Sequence, residues 1–273
     1  MFTRTLNQVN DLPSIMRGEL QKHEDITVSI ITVSFNSVQT IKNTITSVLN
    51  QTYNGIEYII VDGGSTDGTK EIINAYNDQI SCIISEPDNG IYDAINKGIK
   101  VSNGDIIGIL NSDDCFCDNI VIEKIVRVFK DYSPSTIFGD AQFFSSARVD
   151  KIIRYYSSRN FNPNKFKYGF MPAHPSFYAR RDLFNKYGLY KTDYKIAADF
   201  ELMTRFLYVN NVDYKYIEMP FVNMRLGGVS NRSIYSRFVL NKEILRACRE
   251  NGIKTNYINI YSKYLRKIFE YWI

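Results

Sequence analysis

The sequence predicts an α/β fold: a mostly parallel sheet flanked by helices and followed by a C-terminal helical extension. Three observations carry that expectation. β-Branched apolar runs alternate with segments of helical periodicity between Thr27 and Leu110, an order that calls for parallel strands joined by right-handed crossovers. Each run leads into a polar or acidic segment: Ser34-Phe35-Asn36, Asp62, Glu86-Pro87-Asp88 and Ser112-Asp113-Asp114. Ligands of such sheets sit beyond the carboxyl ends of the strands, so all four segments fall on one rim.

Residues 1–25 are polar and aperiodic and read as a lead-in. Thr27 to Ser34 is a β-branched run of buried-strand type. Asn36 or Ser37 can cap the next helix, where Val38, Ile41, Ile45, Val48 and Leu49 share a face. A second strand runs from Glu57 to Val61 and ends in Asp62, and the helix after it carries Ile72, Ile73 and Tyr76. Cys82-Ile83-Ile84 leads to the Asn89-Gly90 turn and to a helix with Ile91, Ala94, Ile95 and Ile99 inward. The fourth strand, Ile106 to Leu110, delivers Asp113 and Asp114.

Beyond about residue 133 the pattern loosens. Thr136-Ile137-Phe138 reads as a strand and residues 155–175 as irregular, while Arg181 to Tyr187 and Asp199 to Val209 read as helices. Two further helices, near 233–250 and 256–271, close the chain. The expected division is a lead-in over 1–25, a main domain over 26–232 with halves 26–115 and 116–232, and C-terminal helices over 233–273.

A chain of 273 residues, 44% of them hydrophobic, can bury a large core. The net charge of +4 is too small to point to nucleic acid. Its excess lies from Arg225 onward, where ten Lys and Arg residues stand against three Glu, a balance that suits an anionic surface or substrate. Four cysteines in a chain this long make no disulfide framework, and Cys115-x-Cys117 lacks the spacing of a zinc site. No apolar run reaches the roughly 18 residues that span a bilayer, and the N-terminus carries no apolar signal core. A cytoplasmic protein is expected. In the last helix Ile258, Tyr261, Tyr264, Leu265, Ile268 and Trp272 form a stripe beside Lys263, Arg266 and Lys267. That pattern suits contact with anionic lipid at the inner face of the plasma membrane, or packing on the main domain.

Five segments in the first half are specific in combination: Ile31-Thr32-Val33-Ser34-Phe35-Asn36, Gln51-Thr52-Tyr53, Ile60 to Thr69, Glu86 to Gly98, and Gly104-Asp105 with Leu110 to Asp114. Pro172-Ala173-His174-Pro175, Ala197-Ala198-Asp199-Phe200 and Gly227-Gly228-Val229-Ser230 extend the set. Together they resemble the inverting glycosyltransferases of family 2, which have the GT-A fold. Gly90 to Gly98 resembles the branch that builds bacterial O-antigen and related surface polysaccharides. The resemblance covers about residues 26–232 and implies a nucleotide-binding half (26–115) and an acceptor half (116–232).

Further expectations follow from the resemblance. The donor is a nucleoside-diphosphate sugar, a UDP-sugar ahead of a GDP-sugar, and the acceptor is a hydroxyl of a lipid-linked oligosaccharide. The donor-binding residues are Thr32, Val33, Ser34, Asn36, Asp62, Asp93, Asn96, Asp113 and Arg225. Asp114 and His174 are the expected ligands of Mn²⁺ or Mg²⁺, whose hard character suits carboxylate and diphosphate oxygens. Asp199 is the expected general base, taking the acceptor proton as the new bond forms.

Several of these residues also have plainer readings. Asp62 reads as a turn residue bonding its own backbone, or as the acceptor of a hydrogen bond from the nucleotide base. Asp67 and Asp199 each suit a helix start. Arg225 and Arg232 read as a clamp on the pyrophosphate or as part of a solvated loop. Two other classes compete with a transferase: a metal-dependent nucleotide-sugar or phosphate hydrolase, also compatible with acidic strand ends, and a noncatalytic nucleotide-sugar-binding relative.

Overall fold

The computed structural model describes residues 26–145, 148–225 and 234–264. Four strands, β1 (Val28–Ser34), β2 (Ile56–Asp62), β3 (Cys82–Ser85) and β4 (Ile106–Ile109), lie side by side in the order β3-β2-β1-β4, all parallel. β1 is buried along its whole length, as expected of a central parallel strand covered on both faces. Successive side chains alternate between two cores. Val28, Ile30, Tyr58 and Ile60 face α1 (Ile41–Leu49), α2 (Thr69–Asn74) and α4 (Val121–Tyr132). Ile31, Val33, Ile59 and Val61 face α3 (Ile91–Val101), α5 (Arg181–Tyr187), α6 (Ala198–Thr204) and α7 (Ile234–Glu250).

Beyond β4 the sheet becomes mixed. β8 (Phe177–Arg180) is antiparallel to both β4 and β6 (Thr136–Ser145). β6 runs parallel to β9 (Tyr214–Arg225), which pairs antiparallel with the two-residue β5 (Cys115–Phe116). β7 (Arg148–Tyr156) folds back on β6, so part of the stretch expected to be irregular is strand. The parallel arrangement therefore holds for the first half of the chain and gives way where crossover helices no longer separate the strands.

The strand order reverses direction at β1: β2 and β3 lie to one side and β4 to the other. That is a topological switch point, where the strand ends splay into a crevice. Loops after β1, β2, β3 and β4 all reach it. α7 is not separate from this body, because Ile244, Leu245, Ala247 and Cys248 sit in the same core as β1. α8 (Tyr257–Tyr261) follows α7, with Ile260 fully buried and Ile258 82% exposed. The stripe expected at Leu265, Ile268 and Trp272 lies outside the described residues.

Packing at the β4–β8 pair is tight enough to forbid a single methyl. A Cβ on Gly108 would lie 2.2 Å from Cε1 of Tyr178, itself fully buried and edge-on to Phe221. Gly108→Ala is expected to cost about 1–3 kcal/mol through overpacking, read as a lowered Tm in thermal unfolding. An unchanged Tm would mean that this pair is looser than described.

Candidate active site at the strand ends

Asp62 closes β2 with a fully buried carboxylate. Its Oδ1 accepts from the hydroxyls of Ser34 and Ser65, and its Oδ2 from the backbone N–H groups of Gly64 and Ser65 and the hydroxyl of Ser85. Burial works against the ionised form, but these donors prevail and hold the carboxyl below its ordinary range. Of the two readings of Asp62, its surroundings support the turn-organising one. Five donors already fill a buried carboxylate, leaving no free lone pair for a nucleotide base.

Neither Asn36 nor Ser37 caps α1, whose N-cap is Thr40; Asn36 lies in the left-handed region at φ 50°. Its Oδ1 accepts from the Thr66 N–H and its own N–H donates to Ser65 Oγ. The loops after β1 and β2 are thereby laced together. Asp67 accepts from the N–H and hydroxyl of Thr69 at the start of α2 and from the Val38 N–H, matching its helix-start reading.

The segment Asp88 to Gly98 forms the next wall. Gly90, at φ 111°, makes the turn into α3. A Cβ on Gly63 would meet Asp88 Oδ2 at 2.3 Å, so a larger residue there would displace the Asp88 carboxylate. Asp93 accepts from the Asn89 N–H and lies 3.8 Å from Lys97 Nζ, bracing the turn. Asn96 departs from its donor-binding expectation. Its carboxamide is spent on both backbone groups of Tyr190, 2.8 Å and 3.0 Å away, which places it against the second half of the chain. Thr32 departs likewise: it is fully buried beneath α1 and its Oγ1 accepts from the Tyr58 hydroxyl. Val33 presents only its backbone to the rim, where its carbonyl accepts from the Ser112 N–H.

The acidic pair sits where β4 ends. Ser112 Oγ bonds Ser37 Oγ at 2.8 Å, joining this loop to the one after β1. Asp113 is half-buried, whereas Asp114 is only 2% exposed. Burial pushes the Asp114 carboxyl well above the usual carboxylate range and the neighbouring Asp113 charge adds to the rise; the Arg225 backbone N–H and the Asn111 amide oppose it. Arg225 Nε is buried and makes no hydrogen bond, and the guanidinium lies 5.8 Å from the Phe144 ring. A buried donor without a partner is the arrangement expected of a site completed by a ligand.

His174 arrives from the other side of the sheet. It opens a short 3₁₀ turn (His174–Ser176) between Ala173 and β8, and Ser176 Oγ pins that turn to the Gly139 carbonyl. Its Nε2 lies 3.5 Å from Asn111 Nδ2, which is itself 3.5 Å from Asp114 Oδ2. On its other edge, Nδ1 lies 3.5 Å from Asp199 Oδ2. A continuous file of side chains therefore runs Asp114, Asn111, His174, Asp199. Burial raises the Asp199 carboxyl above its ordinary range, and His174 draws it back down. Its side chain keeps 15% exposure and that of His174 34%, so both open to the rim. Glu201, two residues further on, is fully buried and paired with Arg205 and Lys191 at 3.0 Å each.

Asn111 is the member of the file to which sequence reasoning gave no role. Its position between strand and acidic pair was the only available signal. Among the described residues no group of three or more His, Cys, Asp and Glu side chains is arranged to hold a metal ion. Asp114 and His174 supply two donors, which fits a cation that takes its remaining ligands from a diphosphate and water. Gly227 to Ser230 and Arg232 lie outside the described residues.

Asp62→Asn removes a charged acceptor from five donors and is expected to destabilise by about 1–3 kcal/mol at neutral pH. The folded carboxyl sits below its ordinary value of 3.8, so its contribution is present above that pH and is lost as pH falls through the depressed value. Urea unfolding should show the gap between the two proteins narrowing below about pH 4; a constant gap would refute the assignment.

Comparison with known proteins agrees with this geometry. A family model described as Glycosyl transferase family 2 matches residues 29–188. An uncharacterised glycosyltransferase of Mycobacterium tuberculosis strain H37Rv is 36% identical over 183 residues, covering 66% of this chain and 68% of that protein. Among solved structures, Staphylococcus aureus TarS 1–349 in complex with UDP-GlcNAc aligns at a TM-score of 0.64 and 15% identity, covering 89% of this chain and 73% of that one. The mannosyltransferase PcManGT of Pyrobaculum calidifontis, in complex with GDP-Man and Mn²⁺, aligns at 0.62 and 16% identity, covering 84% and 64%. At these identities the two structures attest the fold, which is that of the GT-A enzymes. The chain is a glycosyltransferase and belongs to glycosyl transferase family 2.

Proposed function

We propose that this transferase moves a sugar, with inversion, from a nucleoside-diphosphate sugar to a hydroxyl of a lipid-linked saccharide in bacterial surface-polysaccharide synthesis. The observation that carries this reading is the file from Asp114 through Asn111 and His174 to Asp199. It sets a leaving-group side and a proton-accepting side at opposite ends of one hydrogen-bonded array.

The donor lies over the switch point between β1 and β4. Ser34, Asn36 and Asp62 shape the pocket on the β1–β2 side, and Asp113 faces the ribose or a metal-bound water. Arg225 offers its unpaired Nε to the diphosphate as a charge-assisted donor. Asp114 and His174 would hold Mn²⁺ or Mg²⁺, and a bound ion would supply charge to offset that of the diphosphate. Asp199, held by His174, accepts the acceptor proton at Oδ2; its raised carboxyl is a stronger base than an exposed aspartate. A UDP-sugar is the donor in first place and a GDP-sugar in second; solved relatives in complex with UDP-GlcNAc and with GDP-Man support a nucleotide sugar of either base.

The acceptor reading rests on the C-terminal surface. Tyr235, Phe238, Tyr257, Ile258 and Tyr261 are exposed there among the basic residues of the tail, a composition suited to peripheral contact with anionic lipid on the cytoplasmic side. No helix among the described residues is long and apolar enough to cross a membrane.

Two variants test the assignment. Asp199→Asn should lower kcat by about 10²–10⁴-fold and leave donor KM within a few-fold. Asp114→Asn should lower Mn²⁺-supported transfer by on the order of 10²-fold and weaken the thermal stabilisation by UDP or GDP that depends on Mn²⁺. Full transfer activity in either protein would refute that residue's role. Nucleotide release from the donor without any acceptor dependence would favour the hydrolase reading.

A further inference from the structure

The turn that carries Asp199 is held by a carboxylate from the far end of the sequence. Glu243, in the middle of α7 and 9% exposed, reaches the chain just before α6. Its Oε1 accepts the Lys195 N–H at 2.7 Å, and its Oε2 accepts the N–H groups of Ile196 and Ala197, both at 2.9 Å. Three successive backbone donors leading to Asp199 are thus fixed from outside their own helix. Charge-assisted bonds from a buried carboxylate are about twice as strong as neutral ones, and three on one group fix both position and orientation.

The grip is wider than one residue. Glu243, Arg246 and Glu250 recur at helical spacing on one face of α7. Arg246 pairs with Asp193 and lies over the Tyr194 ring at 4.3 Å. Glu250 accepts from Lys191 and Tyr194 and pairs with Arg246. The same face therefore holds residues 191–197 continuously. No cap residue within the turn does this work: Ala197 is the N-cap position and α6 has no side-chain cap of its own.

We infer that Glu243 is a positioning residue for transfer, holding the Asp199 turn at the distance from His174 that proton acceptance requires. The inference rests on the general-base reading of Asp199. α7 is accordingly part of the catalytic unit, although it lies beyond the family match that ends at residue 188. Misplacement of a reacting group by about 1 Å can cost on the order of 10²-fold in rate, within reach of a turn that loses the carboxylate gripping residues 195–197.

The test compares the full-length chain with its Glu243→Gln and Glu243→Asp variants. Amide hydrogen exchange at residues 195–197 should speed up at least about tenfold in Glu243→Gln, while β1 amides keep their protection. UDP affinity in the presence of Mn²⁺ should stay within about twofold, and kcat on whichever of UDP-GlcNAc or GDP-mannose the wild type uses should fall by about 10–100-fold. Glu243→Asp, which keeps the charge on a shorter stem, should recover part of that loss. Unchanged exchange at 195–197 would overturn the inference, as would UDP affinity falling in parallel with turnover. If Asp199→Asn abolishes transfer while Glu243→Gln leaves kcat intact, the base reading stands and the positioning role falls. Retained transfer in Asp199→Asn removes the base reading, and the catalytic sense of the Glu243 contact with it.

Discussion

One buried carboxylate sets the geometry of the rim. Asp62 draws donors from the ends of three neighbouring strands: Ser34 of β1, Gly64 and Ser65 after β2, and Ser85 of β3. A charge taken this far from water is tolerated only because each lone pair is occupied. The loops after β1 and β2 follow from that arrangement, with Asn36 and Ser65 exchanging bonds across them. Ser37 then reaches Ser112 and fixes the loop that bears the acidic pair. The rim at the ends of β1, β2 and β4 is thus built outward from one buried group.

The acceptor side is built by a different means. Asp199 and His174 come from segments with little regular structure around them, and they meet because remote side chains hold their backbones. Asn96 takes both groups of Tyr190, Ser176 pins the His174 turn, and α7 braces residues 191–197. The long motif between Glu86 and Gly98 serves both sides. Its turn crowds Gly63 while its helix reaches the second half of the chain through Asn96.

Much of the first half was legible in the sequence because its strands are buried on both faces and read as unbroken apolar runs. β9 escaped detection: Tyr214 to Arg225 mixes charged, aromatic and proline residues, and most of it is only partly buried. β5 has only two residues, and β8, Phe177-Tyr178-Ala179-Arg180, has no β-branched residue to mark it as a strand. At the site, Asp114, His174 and Asp199 were singled out and lie in one connected file. Thr32 and Asn96 were singled out with them, yet strand alternation and helix facing turn both inward. Glu243 carried no local signal, since its partners lie 46 to 48 residues away.

That separation has a consequence for how the enzyme is born. Chains are synthesised from the N-terminus at about 5–20 residues per second, and early segments fold first. Residues 28–114 carry every donor to Asp62 and the Ser37–Ser112 link, so these loops can be laced together once that stretch has left the ribosome. Residues 195–197 gain their anchor only after α7 has emerged and docked. A nascent molecule therefore passes through a stage at which the strand ends are joined but the segment that carries Asp199 is not yet held.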